Sequence, residues 1–141
     1  MTPKLFIFGA GYSGLAIARQ ALAAGYEVVG TTRSPDKLDG LRKAGLLPLL
    51  FDGGSLGSDV VRELETTTHL PVSIAPGETD PVLAVARETI TQRMPALRWI
   101  GYLSTVGVYG DHGGAWVDEE TVCHPVSRRS RERLEAENAW R

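Results

Sequence analysis

The chain has 141 residues, 43% hydrophobic and 23% charged, which suits one domain spanning residues 1–141 with a core of its own. A formal net charge of −2 offers no basic field for nucleic acid or an anionic membrane surface, and the single cysteine, Cys123, excludes an internal disulfide and a cysteine-rich metal site. No apolar run approaches the ~20 residues of a membrane span, and residues 5–8 are too short for a signal-peptide core, so a cytoplasmic protein is expected.

Residues 5–8 form a short apolar run with the length of a buried strand. Gly9, Gly11 and Gly14 follow in G-x-G-x-x-G spacing, and Leu15, Ala18 and Leu22 then recur at helical intervals. Strand, glycine turn and helix in this order make a dinucleotide-binding fingerprint. Gly9 permits the sharp turn, Gly11 the approach of a pyrophosphate, and Gly14 close packing of helix on strand. The unpaired N–H groups of the helix's first turn then face the phosphates. A glycine turn that serves packing alone is the competing reading.

Gly25 ends the helix, and residues 27–31 read as a second strand. An NAD site places a carboxylate after that strand, on the ribose 2′-OH. Here the sequence is Thr31, Thr32, Arg33 and Ser34. Arg33 can pair with a 2′-phosphate and the hydroxyls can donate to it, so NADP is expected in preference to NAD.

Ser34 and Pro35 suit the cap and first turn of a second helix, with Leu38 and Leu41 as its apolar edge and Gly45 as its stop. Residues 46–51 form a third strand, and Pro48 within it points to a sheet edge. A turn-rich loop covers 52–58, and a short helix covers 59–65. Residues 69–75 form a fourth strand, again interrupted by a proline, Pro71. Asp80 and Pro81 then cap and open a helix with Val82, Ala86 and Ile90 on one face. Residues 99–104 are a fifth strand, rich in β-formers. A glycine-rich loop over 105–125 leads to a polar helix over 127–141. The alternation predicts a doubly wound, Rossmann-like parallel sheet that stops after about five strands, with no separate substrate domain.

His69, His112 and His124 lack metal-ligand spacing, so no metal is expected, and Cys123 beside His124 reads as a plain thiol.

Three segments resemble the extended or atypical branch of the short-chain dehydrogenase/reductase superfamily, the NAD-dependent epimerase/dehydratase type. They are FGAGYSGLA (8–16), TTRSPDK (31–37) and YLSTVGVYGDHGGAWVDEET (102–121). In that family the fifth strand ends in a Ser-Ser/Thr pair and runs on to Val-Tyr-Gly, then an acidic residue before a proline-containing loop. Ser104, Thr105, Val108, Tyr109, Gly110, Asp118, Glu119 and Pro125 occupy those positions. The resemblance implies that Ser104 hydrogen-bonds the substrate oxygen and that Tyr109 walls the pocket or donates a proton. It also implies cofactor contacts at Gly9, Gly11, Tyr12, Ser13, Gly14, Thr32, Arg33, Asp52 and Ala75.

The family's next helix carries Tyr-x-x-x-Lys with an acidic residue four positions on. Matching Glu137 to that acid puts Arg133 at the lysine and Arg129 at the tyrosine. A guanidinium keeps its protons, so Arg129 cannot replace the tyrosine. Arg133 either binds a ribose hydroxyl or phosphate, or belongs to a solvated basic face with Arg128 and Arg131.

The resemblance implies hydride transfer at a hydroxyl or carbonyl carbon of a small molecule, with a sugar-nucleotide-like compound as the candidate class. A catalytically silent dinucleotide binder, or a gene fragment without a role of its own, is the alternative. Because relatives carry further strands, residues 99–104 would be an open edge through which the chain self-associates.

Overall fold

The computed structural model describes residues 2–141. Five parallel strands form one sheet in the order β3-β2-β1-β4-β5: β1 (Lys4–Ile7), β2 (Glu27–Thr32), β3 (Leu47–Leu50), β4 (His69–Val72) and β5 (Trp99–Tyr102). The connecting helices are α1 (Tyr12–Ala23), α2 (Leu38–Lys43), α3 (Ser58–Glu65) and α4 (Pro81–Gln92), and α5 (Arg128–Trp140) follows β5. This is the doubly wound, Rossmann-like architecture that the alternation of patterns predicts.

Side-chain alternation along the strands sorts the core into two layers. Leu5, Ile7 and Val28 pack with Ala18 and Ala21 of α1 and Leu41 of α2. Phe6, Phe8, Val29, Leu70 and Val72 face the other way, onto Val60 and Leu64 of α3 and Val82 and Ala86 of α4. Phe6, Phe8 and Phe51 touch in tilted and edge-on pairs, with ring centroids 4.9 and 5.1 Å apart. At the N-terminal end of the sheet, buried Lys4 is paired with Glu63 and donates to Thr66 Oγ1 at 2.7 Å, which satisfies its charge.

The prolines have different consequences. Pro48 lies in the edge strand β3, as expected. The Phe51 N–H donates to the Thr32 carbonyl, so the outward-facing row of β3 is Pro48 and Leu50, and the missing N–H lies on the open side. Pro71 lies inside the sheet. It faces β1, and the β1–β4 ladder is confined to Leu5↔His69 and an isolated Phe8↔Val72 bridge. Pairing resumes because the Pro71 carbonyl still accepts from Phe8 N–H at 3.1 Å and Ser73 N–H donates to Phe8 O at 2.8 Å.

Several boundaries differ from the sequence expectations. β4 and β5 end at Val72 and Tyr102, before the residues expected to close them. Ser34 does not cap a helix. A 3₁₀ turn (Pro35–Lys37) comes first, and the Ser34 side chain makes no capping bond. Another 3₁₀ turn (Val106–Tyr109) interrupts the expected loop, with the Thr105 hydroxyl accepting from Gly107 N–H. Asp80 caps α4 as expected: its Oδ1 accepts from Val82 N–H at 2.9 Å and Leu83 N–H at 3.0 Å.

Candidate functional site

The ends of parallel strands beside a change in strand order form a crevice, and here that point lies between β1 and β4. Gly9, Gly11 and Gly14 fill it, each doing something different. Gly9 has φ +91°, and a Cβ there would lie 2.8 Å from Ile74 Cγ1 and 2.9 Å from the Ser73 carbonyl oxygen. A Cβ on Gly14 would collide with the Gly9 carbonyl oxygen, so α1 can start against the strand only because Gly14 has no side chain. Gly11 is different again. At φ −84° it has open space around the Cβ direction, with nothing within 4 Å.

The turn is held by main chain. Gly9 N–H donates to Thr31 Oγ1 at 2.9 Å, and Ala10 N–H donates to the Thr31 carbonyl at 2.8 Å. Thr31 is therefore buried and fixes the turn, and does not reach a ligand as the sequence reading allowed. Leu15 N–H makes the first α1 bond, to Gly11 O at 2.8 Å. The preceding N–H groups of Tyr12, Ser13 and Gly14 lie ahead of it. α1 has no side-chain cap and no acid in its first turn. An exposed backbone rim, free N–H groups and an uncontested dipole fit an anionic diphosphate. Tyr12 and Ser13 stand exposed beside it.

At the end of β2, Thr32 is half-buried and its hydroxyl accepts from Ser34 N–H at 3.2 Å, while Arg33 is exposed and makes no salt bridge among the described residues. Asp52 is exposed at the end of β3 and accepts from Gly54 N–H at 2.8 Å, an ordinary side-chain turn. Ala75 is exposed in the loop after β4, beyond the Ser73–Ile74 wall.

The second group of candidates lies after β5. Ser104, Thr105 and Tyr109 line a groove of about 500 Å³ with Glu119, Glu137 and Arg141. Ser104 Oγ donates to Glu137 Oε2 at 2.6 Å, a charge-assisted bond formed within the chain. Arg133 is half-buried and donates from Nη1 to the Leu103 carbonyl at 2.8 Å, so its guanidinium braces β5 against α5. Arg129 is exposed on the first turn of α5.

Sequence reasoning missed the interlock behind this groove. Asp80 Oδ2 accepts from Trp140 Nε1 at 3.0 Å, and Trp140 stacks on Tyr102 with centroids 6.1 Å apart. The Tyr102 hydroxyl is buried without a partner, and its pKa is pushed up to about 12, chiefly by burial. The Arg133 charge opposes that rise, and Asp80 and Glu137 add to it. No spacing pattern encodes a tryptophan 60 residues from its acceptor. Leu83 and Ala84 of α4, with Ala136 of α5, help line a larger groove of about 910 Å³ between these helices. It also carries Glu78, Glu88, Glu132 and Glu135, which disfavours an anionic ligand. No cluster of metal-ligating side chains occurs among the described residues, and no helix there is long and apolar enough to cross a membrane.

A family model for the coenzyme F420-dependent NADP oxidoreductases matches residues 4–71, from β1 into β4. Among solved structures, a functionally unknown conserved protein from Silicibacter pomeroyi is 42% identical. The match covers 99% of this chain and 48% of that one, with a TM-score of 0.85. Gre2 from Candida albicans, solved in complex with NADPH, is 18% identical over 98% of this chain and 52% of its own, with a TM-score of 0.78. A candidate epimerase from Burkholderia cenocepacia is 20% identical over 98% of this chain and 49% of its own, with a TM-score of 0.70. Among curated proteins none matches. The chain thus spans about half the length of these solved relatives, and they share with it the Rossmann-like fold.

Proposed function

We propose that this chain is the NADP(H)-binding domain of an atypical oxidoreductase of the epimerase/dehydratase-like short-chain type. One observation carries the reading: a glycine turn that leaves Gly11 and the first N–H groups of α1 open, beside a β2 end with no carboxylate and with an Arg33 that makes no salt bridge among the described residues. The family match over residues 4–71 and the NADPH bound by Gre2 support the choice of cofactor. NADP would supply a hydride donor or acceptor. The chain would supply the anion-binding turn, the 2′-phosphate partner at Arg33 and, after β5, hydroxyls at Ser104 and Tyr109 to face a substrate oxygen.

Calorimetric titration with NADPH, NADP⁺ and NADH tests this reading. Binding of NADPH with clear preference over NADH is expected, and absence of binding or equal affinities would refute it.

A second reading, a dinucleotide binder without turnover, is favoured by the engagement of Ser104 with Glu137 and of Arg133 with Leu103. The readings separate in a single-turnover assay with a surrogate carbonyl compound and NADPH. Turnover that drops in Tyr109→Phe and persists in Arg129→Ala supports the enzyme, and binding without turnover supports the silent form.

A further inference from the structure

The turn that presents the first α1 N–H groups is rich in glycine, so its own residues do little to fix its conformation. No side chain caps α1, and a Cβ on Gly11 would touch nothing. The conformation is imposed from outside the turn, and Thr31 is placed to impose it. The β1–β2 ladder ends at Ile7↔Gly30. Thr31, the next residue of β2, extends it with two bonds of different kinds. Its carbonyl accepts from Ala10 N–H at 2.8 Å, and its side-chain Oγ1 accepts from Gly9 N–H at 2.9 Å.

Gly9 is packed against Ser73 and Ile74 on one side, and its carbonyl lies against Gly14 of α1. A rotation of Gly9 would therefore carry its carbonyl, and with it the start of α1. Any residue at position 31 keeps the carbonyl bond to Ala10. Only a side chain with an acceptor oxygen keeps the bond to Gly9. Thr31 is buried, so it touches no nucleotide and acts through Gly9 alone. The Arg33 side of the crevice is held separately, through the Thr32 hydroxyl and Ser34 N–H.

We propose, on the reading that this chain binds NADP(H), that Thr31 is a positioning residue for the nucleotide's diphosphate. Its hydroxyl oxygen, by holding Gly9 N–H, keeps the turn in the form that presents the α1 N–H groups.

Titration with NADPH and with adenosine 2′-monophosphate, which has no diphosphate, tests this, together with NMR amide exchange at Gly9 in the nucleotide-free proteins. Thr31→Val keeps the shape of the side chain and removes the acceptor. It is expected to weaken NADPH about tenfold, because the turn spends less time in its competent form. Adenosine 2′-monophosphate is expected to bind as to wild type, and Gly9 exchange is expected to quicken. Thr31→Ser is expected to restore wild-type behaviour. Thr31→Cys, with a weak sulfur acceptor, is expected to fall between, and it carries the test should the valine variant not fold. A wild-type chain that binds no NADPH overturns the NADP(H) reading, and the role of Thr31 with it. Where wild type binds, three results overturn the role of Thr31 alone. They are unchanged NADPH affinity in the valine and cysteine variants, an equal loss for adenosine 2′-monophosphate, and a serine variant as weak as valine.

Discussion

The turn after β1 and the segment after β5 both lie at the C-terminal ends of parallel strands, yet they are built from different bonds. The turn is made of main chain. Gly9 is held through its N–H by Thr31, Gly14 lies against the Gly9 carbonyl, and the free N–H groups of α1 point outward. The segment after β5 is made of side chains that reach across the chain: Ser104 to Glu137, Arg133 to Leu103, Trp140 to Asp80. A surface made of backbone donors has no other partner to turn to and stays available to a ligand. A surface made of hydroxyl, carboxylate and guanidinium groups can satisfy itself. The first half is therefore prepared for an anion, whereas the second must exchange internal bonds before it can hold a substrate oxygen.

The strongest way to break this contrast lies within the turn itself. Gly14→Ala forces a Cβ onto the Gly9 carbonyl and separates α1 from the strand, so a loss of about 3 kcal/mol or more is expected in urea unfolding. Gly11→Val meets open space, but Gly11 caps α1 at ψ −148°, where a β-branched residue is disfavoured, so a smaller loss of about 1 kcal/mol is expected. NADPH affinity is nevertheless expected to fall by about tenfold or more in Gly11→Val, because the branched side chain occupies the approach to the first α1 N–H groups. If Gly11→Val stays folded and binds as tightly as wild type, the open rim is not the phosphate site.

The interlock behind the second half predicts the next largest effect. Asp80→Ala removes the α4 cap and leaves the Trp140 N–H without its acceptor. A cap contributes about 1 kcal/mol and an orphaned half-buried donor about another, so a loss of about 2 kcal/mol is expected. Asp80→Asn keeps an oxygen for the cap and is expected to recover about half of it. Equal losses for the two substitutions would show that the carboxylate charge, and not its two separate bonds, holds α4 and α5 together.

What was legible in the sequence follows the same division. The glycine spacing, the Asp80–Pro81 helix start and the edge placement of Pro48 are local rules, and each appears in the fold. Pro71 reads as a weak strand residue but lies within the sheet, because one absent donor interrupts the β1–β4 ladder without ending it. Ser34 reads as a helix cap, yet its N–H is held by the Thr32 hydroxyl and a 3₁₀ turn intervenes. Thr31 reads as a ligand hydroxyl, but strand alternation turns it inward, beneath Gly9. The contacts after β5 join residues 30 to 60 positions apart, beyond the reach of any periodicity.

Cofactor choice sharpens the comparison at a smaller scale. Arg33 is exposed and partnerless among the described residues, so its attraction for a 2′-phosphate is screened by solvent. Arg33→Ala is expected to reduce the NADPH-over-NADH preference by about 1.5 kcal/mol, the lower end for a charge-assisted bond. Titration of both nucleotides against both proteins measures it, and an unchanged preference would move the discriminating contact elsewhere.

Tyr102 gives the smallest expected change and a distinctive pH signature. Its hydroxyl is buried without a partner, so Tyr102→Phe removes an unsatisfied polar atom while keeping the stack on Trp140. Stability at neutral pH is expected to stay level or to rise by up to about 1 kcal/mol. Burial pushes the folded-state pKa up to about 12 from the ordinary 10.0, so the folded chain holds this proton more tightly than the unfolded chain does. Below pH about 10 the phenol is neutral in both states and costs nothing. Between about 10 and 12 the unfolded chain releases the proton first, which favours unfolding, and the wild type loses stability as pH rises through that window. The informative quantity is the difference between wild type and Tyr102→Phe. That difference is expected to be flat up to pH about 10 and then to widen in favour of the phenylalanine. A constant difference across the window would place the Tyr102 hydroxyl in contact with water, and the packing of α5 against β5 would then be looser than the Trp140 stack implies.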